Sequence, residues 1–188
     1  MSPTEKRLLF RWIAWNTLAW SLGIEITGRL EDFLHLQSQG PWVWIACGAI
    51  VGTAQWLALR ECLHVPPAWI AGTCLAWAVG IWAGYVHGFL IMDPYWTGIG
   101  GGTLAGLVQS WILWRRVSLP ALWVPSSIVS STLGWLAGTY AGLWVFDTRW
   151  DVAAYLAAGA AGGAVIGAAS APLLLVMIRQ RKLRPEAV

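Results

Sequence analysis

Six stretches of almost unbroken apolar residues, at about 8–28, 41–59, 67–88, 97–114, 121–142 and 153–178, alternate with short segments that hold most of the charge. Each is close to the roughly 20 residues that a helix needs to cross a hydrocarbon core. The pattern predicts an all-α integral membrane protein of six transmembrane helices. It forms one membrane domain over residues 1–188, with no separate soluble domain.

The polar positions inside the apolar stretches recur. Trp12, Trp69 and Trp123 each precede a hydrogen-bonding residue by four (Asn16, Thr73, Ser127) and a glycine by eleven (Gly23, Gly80, Gly134). A second phrase follows each of them: Gly48, Gly52, Gln55; then Gly102, Gly106, Gln109; then Gly163, Gly167, Ser170. A period of 54 to 61 residues predicts three tandem helical hairpins, 8–60, 67–116 and 121–182. All three enter from the same side, so they are parallel repeats about an axis along the membrane normal. A pseudo-threefold bundle is the simplest closed arrangement.

The second phrase falls at i, i+4 and i+7, one helical face. Small-xxx-small faces let membrane helices approach closely, because packing drives their association. With Asn16, Thr73 and Ser127, the residues Gln55, Gln109 and Ser170 form a predicted polar layer roughly 8 Å inside one boundary, at 1.5 Å of rise per residue. Two readings of that layer stay open: interhelical hydrogen-bonded glue, or a polar cavity for something small. The third copy departs from the pattern, with Ser170 in place of glutamine and Pro172 after it, which argues against a symmetric ion filter.

Composition and charge set the orientation. Only 11% of the 188 residues are charged, against about 25% in soluble domains. Ten of the twelve Lys and Arg lie on one set of helix ends, and Arg29 and Arg149 on the other. Basic short loops stay cytoplasmic, so both termini are expected in the cytoplasm and the protein in the inner membrane. The net charge of +3 follows from this topology and implies no nucleic acid. The apolar run after Lys6 and Arg7 resembles a signal peptide, but it carries the repeat phrase and is read as a retained first helix. Cys47, Cys62 and Cys74 have no metal-ligand spacing and read as apolar filler.

Sixteen tryptophans are the second anomaly. Interfacial belts are expected to take most of them: Trp12, Trp15, Trp56, Trp69, Trp111, Trp114 and Trp123 on the cytoplasmic side, and Trp42, Trp44, Trp96, Trp144 and Trp150 outside. Trp20, Trp77, Trp82 and Trp135 fall outside these belts. Trp20 and Trp77 share one repeat position near mid-bilayer, either as filler opposite the glycines or as the wall of a site for a carotenoid, quinone or chlorin.

Candidate chemistry is sparse. Glu25 is the one ionisable group near the hydrocarbon, and such carboxylates are functional hypotheses by default, though Thr27, Gly28 and Arg29 suggest that the span is ending there. His87 is the single histidine placed to ligate a chlorin or haem, with no matching partner. In the loop 29–40, Leu30, Phe33 and Leu34 share a helical face, which suggests a short interfacial helix. Asp93, Trp96, Asp147 and Trp150 mix acids with aromatics over the outer mouth, as a ligand or partner surface. Ser126, Ser127, Ser130 and Ser131 have no base beside them. No nucleophile–base pair, metal motif or phosphate loop occurs, and no enzyme is expected.

Gly52, Gln55, Trp56 and Arg60, with Gly48 before them, spell G-x3-G-x2-QW-x3-R. The phrase resembles a loose group of uncharacterised small polytopic bacterial membrane proteins built from repeated hairpins. That resemblance implies fold and location, with no activity. The second copy departs at Ser110, and the third keeps neither Gln nor Trp.

The function expected is a non-catalytic accessory or scaffold subunit of a larger membrane complex. Its partners are membrane lipid and other membrane-protein subunits; a lipid or pigment is what it could hold, and the sequence requires no cofactor. The alternative is the substrate-binding membrane subunit of a vitamin-type importer, by analogy of size and span number.

Overall fold

The computed structural model describes residues 1–34, 41–87, 93–146 and 151–181, apart from some side chains at the helix ends. They form six α-helices with no strand among the described residues: α1 (Pro3–Leu34), α2 (Pro41–Leu59), α3 (Ala68–His87), α4 (Pro94–Leu113), α5 (Trp123–Phe146) and α6 (Asp151–Arg181). Prolines punctuate the boundaries. Pro3, Pro41 and Pro94 open their helices, where a missing N–H costs nothing. At α4 the Asp93 carboxylate also accepts from the Tyr95 N–H at 2.8 Å, capping the helix.

The helix that begins α1 runs on to Leu34, so no separate interfacial helix starts at 29. The Arg29 Nε donates to Glu25 Oε1 at 2.9 Å, four residues back, and supports the extra turns.

Each helix packs on its sequence neighbours, and α6 closes back on α1. The six helices therefore make a closed up-and-down ring. Its two kinds of interface repeat around the ring. On one side of each even helix the small-xxx-small face meets the next odd helix. A methyl added at Gly52 would sit 3.1 Å from Ile70 Cα, at Gly106 2.9 Å from Val124 Cα, and at Gly167 2.9 Å from Ile13 Cα. Ile13, Ile70 and Val124 are the same repeat position. On the other side, Gly23 abuts Cys47, Gly80 abuts Gly101 and Gly134 abuts Gly162. Main chain meets main chain at both seams, and only glycine permits that separation.

The core follows the same register. At the end where α2 and α4 finish, Leu59, Leu113 and Leu174 are buried, as are Leu63, Val117 and Ile178. Trp12, Trp69 and Trp123 fill the space between them, with Trp123 edge-on to Trp12 at 6.1 Å and tilted 6.4 Å from Trp69. A second cluster around Trp20, Trp44, Trp77 and Val51 fills the other half.

Among the described residues one helix, Val152–Gln180, is long and apolar enough to cross a membrane by length and composition. The apolar stretches Trp44–Leu59 and Ala68–Ala83 are shorter.

Candidate functional site

The polar residues of the repeat come together in one buried, uncharged network. Its unit is a glutamine held between two odd helices. Gln55 accepts from the Trp69 indole at 3.3 Å and donates to Asn16 Oδ1 at 3.0 Å. Gln109 accepts from the Trp123 indole at 2.7 Å and donates to Thr73 Oγ1 at 2.9 Å. A further bond, from Gln109 Nε2 to Gln55 Oε1 at 3.2 Å, joins the two units. The chain of bonds thus runs from Asn16 on α1 to Trp123 on α5.

In the third copy the serine is too short to bridge. Ser170 accepts from the Trp12 indole at 3.0 Å and returns its own proton to the Ile166 carbonyl at 2.7 Å. Each leading tryptophan therefore donates to the polar residue of the helix before it in the ring. This corrects their placement in a cytoplasmic interfacial belt. Trp12, Trp69 and Trp123 are core side chains, because a buried indole N–H needs an acceptor and the layer supplies one. Ser127 sits under Gly106 and Ser131 under Gly102, where small side chains are required by the approach of α4 to α5.

The phrase shared by Gly52, Gln55, Trp56 and Arg60 also has a physical account. Trp56 Nε1 donates to the Val65 carbonyl at 3.1 Å and secures the turn into α3, and Arg60 lies over its ring at 5.0 Å. At the matching position Ser110 donates to the Pro120 carbonyl at 2.9 Å. A hydroxyl thus does for the second turn what an indole does for the first.

Charge is confined to the ends. Arg11 meets Glu61 at 3.3 Å, and Arg179 meets Glu5 at 3.0 Å, tying the start of α1 to the end of α6. The Arg179 hydrogen bond, helped by the Ser2 backbone N–H, pulls the Glu5 carboxyl down to about 2. At the opposite end Glu25 is largely shielded and paired with Arg29.

The expected outer surface is assembled only in part. Asp93 is occupied as the cap of α4, and Trp96 is half exposed on its first turn. Asp147 and Trp150 lie outside the described residues, as does the side chain of His87. Trp42, Trp111, Trp114 and Trp144 are exposed, whereas Trp44 is buried rather than in a belt. Its ring packs edge-on against Trp135 at 5.7 Å. Trp20 and Trp77 meet edge to face at 4.6 Å, so they form no flat stack.

A cavity of about 270 Å³ opens in the half of the bundle that holds these rings, between α1, α5 and α6 with Trp44 of α2. Sequence reasoning missed it, although two breaks in the repeat mark the place. Ser131 stands where Trp20 and Trp77 stand, and Trp135 where Ile24 and Ile81 stand. No charged side chain among the described residues lines it. Among the described residues, no three of His, Cys, Asp and Glu group as metal ligands would.

Comparison with known protein families, with curated proteins and with solved structures finds no match to this chain.

Proposed function

We propose that the chain is a six-span, pseudo-threefold protein of the inner membrane with both termini cytoplasmic. It acts without catalysis, as an accessory or scaffold subunit that packs in a larger membrane complex and holds an apolar ligand such as a lipid or pigment. The observation that carries this reading is the outer wall of the ring. Leu18 and Leu22 on α1, Leu75 and Val79 on α3, Leu107 on α4 and Val129 and Leu133 on α5 all point outward and are exposed, while Asn16, Gln55, Thr73 and Gln109 are buried. A helix of a water-soluble protein carries its polar face outside. Here that arrangement is inverted, as a hydrocarbon solvent favours.

The scaffold part rests on the absence of a reactive constellation in the polar layer, where the side chains bond to one another. The importer reading would use Asp93, whose carboxylate is committed to the α4 cap, and no observation favours it. The test is gentle detergent extraction of tagged protein from native membranes, followed by native mass spectrometry. Co-purifying membrane subunits in fixed ratio are expected, and are lost in Gly52→Leu or Gly106→Leu. Recovery of the chain in the soluble fraction would refute the membrane reading, and a lone membrane-extracted chain the scaffold reading.

A further inference from the structure

The cavity between α1, α5 and α6 is the one place in the described structure where buried donors collect without acceptors. Trp20, Trp44 and Trp135 all line it, and the Nε1 of each is buried and makes no hydrogen bond within the protein. Trp20 is 3% and Trp44 5% exposed. The contrast with the other end of the bundle is direct. There, Trp12, Trp69 and Trp123 each reach a side-chain acceptor.

An indole N–H buried without a partner costs about 1–3 kcal/mol, so three around one cavity are a feature in need of an acceptor. The rest of the wall is Gly, Ala and Ile with Thr27, Thr139 and Tyr155. At about 270 Å³ the space is larger than the ~150 Å³ apolar cavity that takes benzene. It suits a substituted ring or a chain end better than a bare ion. Among the described residues, no charged side chain lines it to balance an anion.

From these observations we infer that the cavity binds an uncharged, mainly apolar molecule whose polar end carries carbonyl acceptors and no donors. The three indole N–H groups of Trp20, Trp44 and Trp135 are its anchors. An isoprenoid quinone and the ester carbonyls of a diacyl lipid share this chemistry. Gly138, Gly159 and Gly162 belong to the wall and present no side chain to the space, while their helices pack main chain to main chain. The inference rests on the ligand-holding part of the proposed function and is tested apart from it.

The experiment uses full-length protein in micelles with 15N-labelled tryptophan, reading the indole N–H resonances. Trp→Phe at each of the three positions assigns the signals. Decylubiquinone, dihexanoyl phosphatidylcholine (net neutral and without donors), decylbenzene and sodium chloride are titrated separately. Saturable shifts of the Trp20, Trp44 and Trp135 signals with decylubiquinone alone assign a quinone-type occupant, and shifts with the short-chain lipid alone a lipid. In either case the Trp44→Phe/Trp135→Phe variant should bind about tenfold more weakly, as loss of two neutral hydrogen bonds requires. No shift with either carbonyl compound, equal shifts with decylbenzene, or shifts with chloride only would each overturn the inference. Membrane fractionation of the same protein keeps that failure distinct from failure of the membrane reading.

Discussion

Gln109 carries three side-chain bonds in the buried layer, as many as Gln55: it accepts from Trp123 at 2.7 Å and donates to Thr73 at 2.9 Å and to Gln55 at 3.2 Å. Gln109→Leu puts an apolar side chain of similar size in its place and deletes all three. Interhelical bonds in membrane proteins average about 0.6 kcal/mol, with a maximum near 1.7, so three remove about 2 kcal/mol. The substitution also strands the Trp123 N–H, at about 1–3 kcal/mol when buried. A loss of about 3–5 kcal/mol is therefore expected. Trp123→Phe alone strands the Gln109 oxygen instead. The double variant removes both ends of one bond, so its loss should fall short of the sum of the singles by about 1 kcal/mol, within the range found for contacting pairs. Ser170→Ala removes a single indole bond and should cost least. The assay is equilibrium unfolding in mixed micelles, followed by near-ultraviolet circular dichroism. Additivity of Gln109→Leu and Trp123→Phe to within about 0.5 kcal/mol would refute the network as a coupled unit.

The seams and the ends give two more predictions. Gly102→Ala places a methyl 2.7 Å from the Ser127 carbonyl and 2.9 Å from Ile128 Cα, so it should destabilise the bundle by about 1–3 kcal/mol as overpacking does. Gly142→Ala meets only the Ala158 methyl at 3.1 Å and the Ala154 carbonyl at 3.5 Å; thermal melts showing equal losses for the two would contradict the backbone-contact account. Because Glu5 is drawn down to about 2 from its ordinary 4.5, its contribution is fully present above that ordinary value and lost as pH falls towards 2. The melting difference between wild type and Glu5→Gln should shrink over that window and in high salt; a difference constant with pH would remove the ion pair from the closure of α1 on α6.

Much of this protein is legible in the order of its residues. The repeat phrases place all six helices within a few residues of their observed ends, apart from the extra turns of α1 held by Arg29 on Glu25. They also name the seams, since a glycine at i and i+4 has one use where helices must touch. The destination of the tryptophans was not legible. An indole suits a headgroup belt or a buried acceptor equally well, and Trp12 and Trp111 look alike until their neighbours are known. One is buried on Ser170, and the other is exposed on the outer wall.

What the chain order determined alone is everything that depends on periodicity: helices, repeats, small faces and the polar positions within them. What only the tertiary structure decided is which partners those positions meet. Closure of α6 on α1 brings Trp12 to Ser170 across 158 positions of chain. It also sets Trp20, Trp44 and Trp135, from three different helices, around one cavity with no acceptor for their N–H groups. Side-chain hydrogen bonds act over about 3 Å, so they are settled by which helices become neighbours, and that follows from packing the whole ring.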